Sequence, residues 1–164
     1  MAGRLVRLLV PVLLLVPGVG AGDHPGKGPE TLVGVPAVMV AVDSLDAHFQ
    51  GSAVSEEAVR RAVRSSLEDA NIATGHAEDA ARLHVRIESR RSSRRFLALA
   101  IDLELRQPVR LDRDPERVFA ATTWSNAAVS PLEIENSDAV PERVGRFVAH
   151  TFVRDFRAAN SDQP

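Results

Sequence analysis

His84, Arg86, Asp102 and Glu104 come nearest to a reaction centre by residue type and spacing. His84 and Arg86 alternate with Leu83, Val85 and Ile87, while Asp102 and Glu104 alternate with Ile101, Leu103 and Leu105. Each polar pair therefore lies on one side of a strand whose other side is apolar. A hairpin with both apolar faces on the same side sets Val85 opposite Ile101 and His84 opposite Asp102. A histidine beside a carboxylate can act as a base or carry a proton. On that chemistry His84, Asp102 and Glu104 form the site of an alternative reading, a small hydrolase or transferase. Opposite charges across strands also stabilise a sheet by about 0.2–1 kcal/mol with no catalysis. No nucleophile or oxyanion donor stands beside the cluster, so no catalytic residue is assigned and the chain reads as a non-enzyme.

Binding chemistry is concentrated in the connection between the same two strands, Arg90-Arg91-Ser92-Ser93-Arg94-Arg95. Together with Arg86, the residues Arg90, Arg91, Arg94 and Arg95 could grip a phosphate or carboxylate through forked guanidinium donors. The bland counterpart is a hairpin loop charged to stay solvated and to deter edge pairing. The expected register centres this loop on Ser93 and gives it an odd length. His24, His48, His76, His84 and His150 include no pair spaced for one helical face, so no metal site is expected. Nucleotide-binding and nucleophile-elbow patterns are absent, and no cofactor is implied.

The chain of 164 residues contains no cysteine, which excludes a disulfide scaffold and a thiolate nucleophile. Arg4 and Arg7 precede an apolar run from Leu8 to Ala21 that ends on Val19-Gly20-Ala21. That run is shorter than the roughly 20 residues a spanning helix needs, contains Pro11 and Pro17, and reads as an export signal cleaved after Ala21. Removing it leaves 18 basic against 22 acidic residues, a balance that argues against nucleic acid as a partner. The expected product is periplasmic or secreted and keeps no stable membrane anchor. Its oligomeric state is left open.

Four segments are expected: a signal peptide over 1–21, a flexible linker over 22–35, one domain over 36–160 and a tail over 161–164. Ala37 to Val42 reads as an inner strand with both faces covered. Ser55 before Glu56-Glu57 caps a helix running to about Ala70. The two alternating strands follow, the second over Phe96–Leu105, and Pro108 marks a bulge or an edge. Asp112-Arg113-Asp114-Pro115 then turns into a fourth strand over Arg117–Ser125, whose inward set is taken as Val118, Ala120, Thr122 and Trp124. A loop over 126–139 leads to a closing helix that starts near Pro141 and ends near Ala159. Val144, Phe147, Val148, Thr151, Phe152, Asp155 and Phe156 trace its inner stripe. The order β-α-β-β-β-α implies an α+β two-layer sandwich, a four-stranded mixed sheet with two helices on one face.

The export signal, Val38-Met39-Val40-Ala41-Val42 before a helix, and a meander ending near Thr122-Thr123-Trp124 with a closing helix resemble small bacterial envelope domains. These are the outer-membrane auxiliary lipoprotein of lipopolysaccharide transport and the N-terminal domain of the Tol system's periplasmic propeller protein. Gly22 stands where the lipoprotein members carry a cysteine, and no family site residue transfers. The resemblance implies a non-catalytic accessory module that binds an envelope protein or an anionic glycolipid.

Overall fold

The first feature the architecture depends on is the alternation along β3 (Phe96–Leu111), which buries Leu97, Leu99, Ile101, Leu103 and Leu105 on one face. A computed structural model of the chain describes residues 28–49, 54–75 and 81–161, so the proposed signal peptide over 1–21 lies outside the described residues. β3 pairs antiparallel with β2 (Ala81–Arg91) and with β4 (Asp114–Glu133), and β2 pairs parallel with β1 (Val38–Val42). The sheet is mixed, in the order β1-β2-β3-β4. α1 (Glu56–Glu68) forms the β1-to-β2 crossover. It is capped by Ser55, whose hydroxyl accepts from the Ala58 N–H, and it is followed by Asn71 at φ 60°. The closing helix runs as α2 (Val140–Val148), a π-turn over Ala149–Val153, and α3 (Arg154–Asn160).

One core unites the apolar sheet face with Val59, Val63 and Leu67 of α1 and with Val144, Val148 and Phe152 of the closing helix. Both helices thus lie on one face, as the two amphipathic stripes require. They cross closely at Gly145, where an added Cβ would stand 3.1 Å from both the Ala62 carbonyl oxygen and the Ser66 Oγ. Trp124 closes the β4 end of the core, with its ring edge-on to Phe152 at 5.1 Å and its indole N–H donating to Asp155 at 3.1 Å. That bond satisfies the one polar atom a buried tryptophan carries.

Several expectations change. The β2–β3 register is two residues away from the one read above: Val85 stands opposite Leu103, His84 opposite Glu104 and Arg86 opposite Asp102. A shift of two keeps every side chain on its expected face. The expected inner strand is the edge strand β1, in which only Val38 and Val40 are buried. β3 continues to Leu111, and β4 takes in most of the expected loop at 126–139, the rest being a 3-10 turn over Ile134–Ala139. The register steps between Leu105 and Arg106, where Thr123 forms a bulge in β4. That extra residue flips the alternation, so Trp124 is buried while Val118 and Ala120 are exposed. Of the two roles expected for Pro108, the edge holds: it pairs with Ala120 where β3 has outrun β2, and the bulge lies in β4 instead.

The described part of the expected linker is also structured. Pro29–Leu32 forms a 3-10 turn, and Leu32 is fully buried. The Thr31 hydroxyl donates to the Thr123 carbonyl at 2.8 Å, and the Asn160 side chain joins the Leu32 carbonyl at 3.1 Å to the Gly34 N–H at 3.0 Å. This segment closes the core between β4 and α3. Truncating Leu32 should open a cavity that the clamped turn cannot collapse around. Leu32→Ala is expected to lower the unfolding free energy by about 2–4 kcal/mol in a urea titration, whereas a true linker residue would leave the midpoint unchanged.

Candidate functional site

The face of the sheet away from the helices carries the polar residues of both strands, and the two-residue register change redistributes them. His84 does not meet Asp102. Its Nδ1 lies 3.7 Å from the Asp43 carboxylate, at the end of β1, and its cross-strand neighbour is Glu104. Arg86 lies between two carboxylates, with Nε 3.3 Å from Asp43 and Nη1 3.8 Å from Asp102. Glu104 accepts from Arg106 Nε at 3.2 Å and Nη2 at 2.8 Å, and from the Thr122 hydroxyl at 3.4 Å. The hydrogen bonds from Arg106 hold the Glu104 carboxyl below its usual range, against its partial burial. Asp102 is shifted the other way, chiefly by desolvation and then by repulsion from Glu104, with Arg86 opposing. His84, Asp102 and Glu104 therefore belong to one polar lattice in which Arg86 is shared by Asp43 and Asp102 while Arg106 serves Glu104. Asp43 and Arg106 were missed in the sequence. A parallel β1–β2 register, with Val42 opposite Val85, is what would have placed Asp43 beside Arg86.

The arginine connection has a different character. Arg90 and Arg91 end β2, while Arg94 and Arg95 lie in the turn. The actual register centres that turn on Arg94, with an odd length as expected. Its backbone is tied internally: the Ser92 and Ser93 N–H groups donate to the Phe96 carbonyl, and the Ser93 hydroxyl accepts from the Arg95 and Phe96 N–H groups. Arg90, Arg91 and Arg94 are exposed and make no side-chain hydrogen bond or ion pair with any described residue. Arg95 reaches Glu133 at 3.9 Å and shares a shallow cleft with Arg94, Glu133, Ile134 and Glu135. Arg86 is not part of this tip, because Asp43 and Asp102 occupy it on the sheet face. Adjacent strand residues point to opposite faces, so Arg90 and Arg91 diverge. The tip is a cationic knob rather than a pocket.

Among the described residues, no three of His, Asp and Glu come together in a metal-binding group. His24 and His76 lie outside the described residues. No described helix is long and apolar enough to cross a membrane. No protein-family model matches the chain, and no curated protein matches it. A minor lipoprotein from Acinetobacter baumannii, known from a crystal structure, is similar over 74% of this chain and 94% of its own at 7% identity, with a TM-score of 0.36. So loose an overlap carries no argument about activity.

Asp46, in the loop after β1, accepts four hydrogen bonds. One carboxylate oxygen accepts from the N–H and Nδ1 of His48, each at 3.1 Å, and the other from the N–H and hydroxyl of Ser89 at 3.1 and 3.2 Å. It fastens the turn that carries buried Phe49 to Ser89, near the C-terminal end of β2. The backbone donors of His48 and Ser89 are the main reason its pKa falls to about 2. Because the folded chain favours the carboxylate more than the unfolded chain does, this anchor contributes fully above the ordinary Asp range. The contribution is lost as pH falls from about 4 to about 2. Asp46→Asn keeps only one acceptor oxygen. It is expected to cost about 1–2 kcal/mol at neutral pH and to flatten the acid limb of the stability curve between pH 4 and 2, as measured by denaturant unfolding across that range.

Proposed function

We propose that this chain is a non-catalytic accessory module of the bacterial envelope, periplasmic or secreted, that captures an anionic group through its arginine tip. The carrying observation is the contrast between the two clusters. On the sheet face Arg86 and Arg106 are engaged by Asp43, Asp102 and Glu104, whereas Arg90, Arg91 and Arg94 are presented on a turn whose own serines satisfy its backbone. A guanidinium without an internal partner keeps its full forked donor set for a phosphate or carboxylate. Glu133 and Glu135 line the cleft that Arg94 and Arg95 share, so an anion is met with least competition by Arg90 and Arg91, outside that cleft. Both ligand sources in this reading, a glycolipid and an envelope protein, would present the same chemistry. The enzymatic alternative has less support. Its His84 faces Asp43 rather than Asp102, and its carboxylates are occupied by arginines.

Vesicle co-sedimentation separates these readings. Binding to vesicles that carry a phosphorylated glycolipid is expected to exceed binding to zwitterionic vesicles, to weaken with salt, and to fall about tenfold or more when Arg90, Arg91, Arg94 and Arg95 are all changed to Ser. His84→Ala should leave it unchanged. If the glycolipid source is wrong but the tip is right, crosslinking from the tip in envelope extract will give a protein adduct that the four-Ser variant loses. Equal behaviour of wild type and the four-Ser variant in both assays rules out the tip as the binding element.

A further inference from the structure

We propose that two copies of this chain pair edge to edge through β4, antiparallel about a two-fold axis at Ala127, to make one continuous sheet. The Ile134 N–H donates to the Arg95 carbonyl. In the same register Leu132, Ser130, Ala128, Asn126 and Trp124 stand opposite Leu97, Leu99, Ile101, Leu103 and Leu105. Residues of an antiparallel ladder turn their backbone groups alternately to one neighbour and to the other. The even-numbered residues of this stretch therefore bond to β3, and Thr123, Ser125, Ala127, Val129 and Pro131 face the free edge. Pro131 fits that assignment, because a proline is tolerated where no ladder N–H is required.

Among the described residues the edge is closed at two points and open between them. The Thr31 hydroxyl occupies the Thr123 carbonyl at 2.8 Å, and Arg143 Nη1 occupies the Pro131 carbonyl at 3.0 Å. Ser125, Ala127 and Val129 lie between these clamps, and no described side chain bonds to their backbone groups. The window is symmetric about Ala127. In a two-fold pairing Ala127 meets its own copy, Ser125 meets Val129, and every open N–H and C=O finds a partner. Thr123 would then stand opposite Pro131, so the missing proline N–H meets a carbonyl that is already taken. That self-matching is the reason to choose a second copy over an unrelated strand.

The side chains permit the same approach. No charged residue occurs from Val118 to Leu132, although exposed edges are ordinarily guarded by charge. Like charges would otherwise meet across the axis. Val129 is 75% exposed, the most of the exposed large apolar residues described. Pairing it beside Ala127 and Ser125 covers it without a bulky collision.

Sedimentation velocity on the chain across the micromolar range is the direct test, and a dimer is expected. Ala127→Lys sets two ammonium groups against each other at the axis, while within one copy it gains Asp102 as a cross-strand neighbour. It should weaken self-association about tenfold or more with unchanged circular dichroism and melting temperature. Because the chain has no cysteine, Ala127→Cys adds a single thiol. Paired residues of this kind have Cα atoms about 5.5 Å apart, within disulfide reach. Diamide should link that variant to a covalent dimer and should leave Ala120→Cys, beyond the bulge, unlinked. A wild-type chain that stays monomeric, a dimer that survives Ala127→Lys, or equal crosslinking from both cysteines overturns the proposal.

Discussion

Hydrogen bonding on both sides of β3 fixes which residues can be inside this protein. With β2 and β4 bonded to its two edges, Leu97, Leu99, Ile101, Leu103 and Leu105 have one direction available and Asp102 and Glu104 the other. A slip of one residue would bury the carboxylates in the apolar layer, at a cost of several kcal/mol each even after relaxation. A slip of two would leave the faces unchanged but change every cross-strand partner and move the tip. The two-residue difference is therefore decided locally, by Ser92 and Ser93 bonding to Phe96 and Arg95. Small turn bonds worth about 1 kcal/mol each select the neighbours of His84 and Arg86, and with them the chemistry of the open face.

What could be read from the residues divides along the same line. The strict alternation in Leu83 to Ile87 and in Leu97 to Leu105 encodes facing, and the helix stripes encode which side they cover, so the layered α+β arrangement was legible. Pairing partners were not, because nothing in either strand penalises a two-residue displacement. The candidate cluster inherited that ambiguity: His84 and Asp102 share a face but not a contact. The segment over 28–35 was obscured by composition. Its glycines and prolines resemble a linker, yet Leu32 is buried, and Thr31 and Asn160 hold the turn in place by hydrogen bonds to backbone atoms distant in sequence. Single-residue anchoring leaves no periodic signal.

The second half of β4 and the facing of its first half were hidden for a different reason. Its bulge at Thr123 inverts the alternation halfway along, so residues on either side of Trp124 cannot be fitted to one period-two pattern. Beyond the bulge, Asn126 to Pro131 is mostly small residues whose half-buried and exposed positions alternate without a matching alternation of apolar and polar types. The inversion has a structural effect as well. It sends Trp124 into the core against Phe152, where Asp155 accepts its N–H, and turns Thr122 outward to Glu104 on the opposite face. One inserted residue thus serves both the core and the ion-pair lattice.

The lattice and the tip also differ in what their charges can do. Exposed ion pairs contribute only about 0–1 kcal/mol each, so Asp43, Arg86, Asp102, Glu104 and Arg106 are poor candidates for holding the sheet together. Their mutual satisfaction does have a consequence for recognition. An incoming anion at Arg86 would have to displace both Asp43 and Asp102, and one at Arg106 would have to displace Glu104, whereas at Arg90, Arg91 or Arg94 it meets no carboxylate of a described residue already in place. Since these cations are of the same type, the difference in binding capacity arises from their neighbours rather than from their number. By residue type alone Arg86 and Arg90 carry the same weight. The carboxylates that the fold brings to Arg86 and keeps away from Arg90 separate the two.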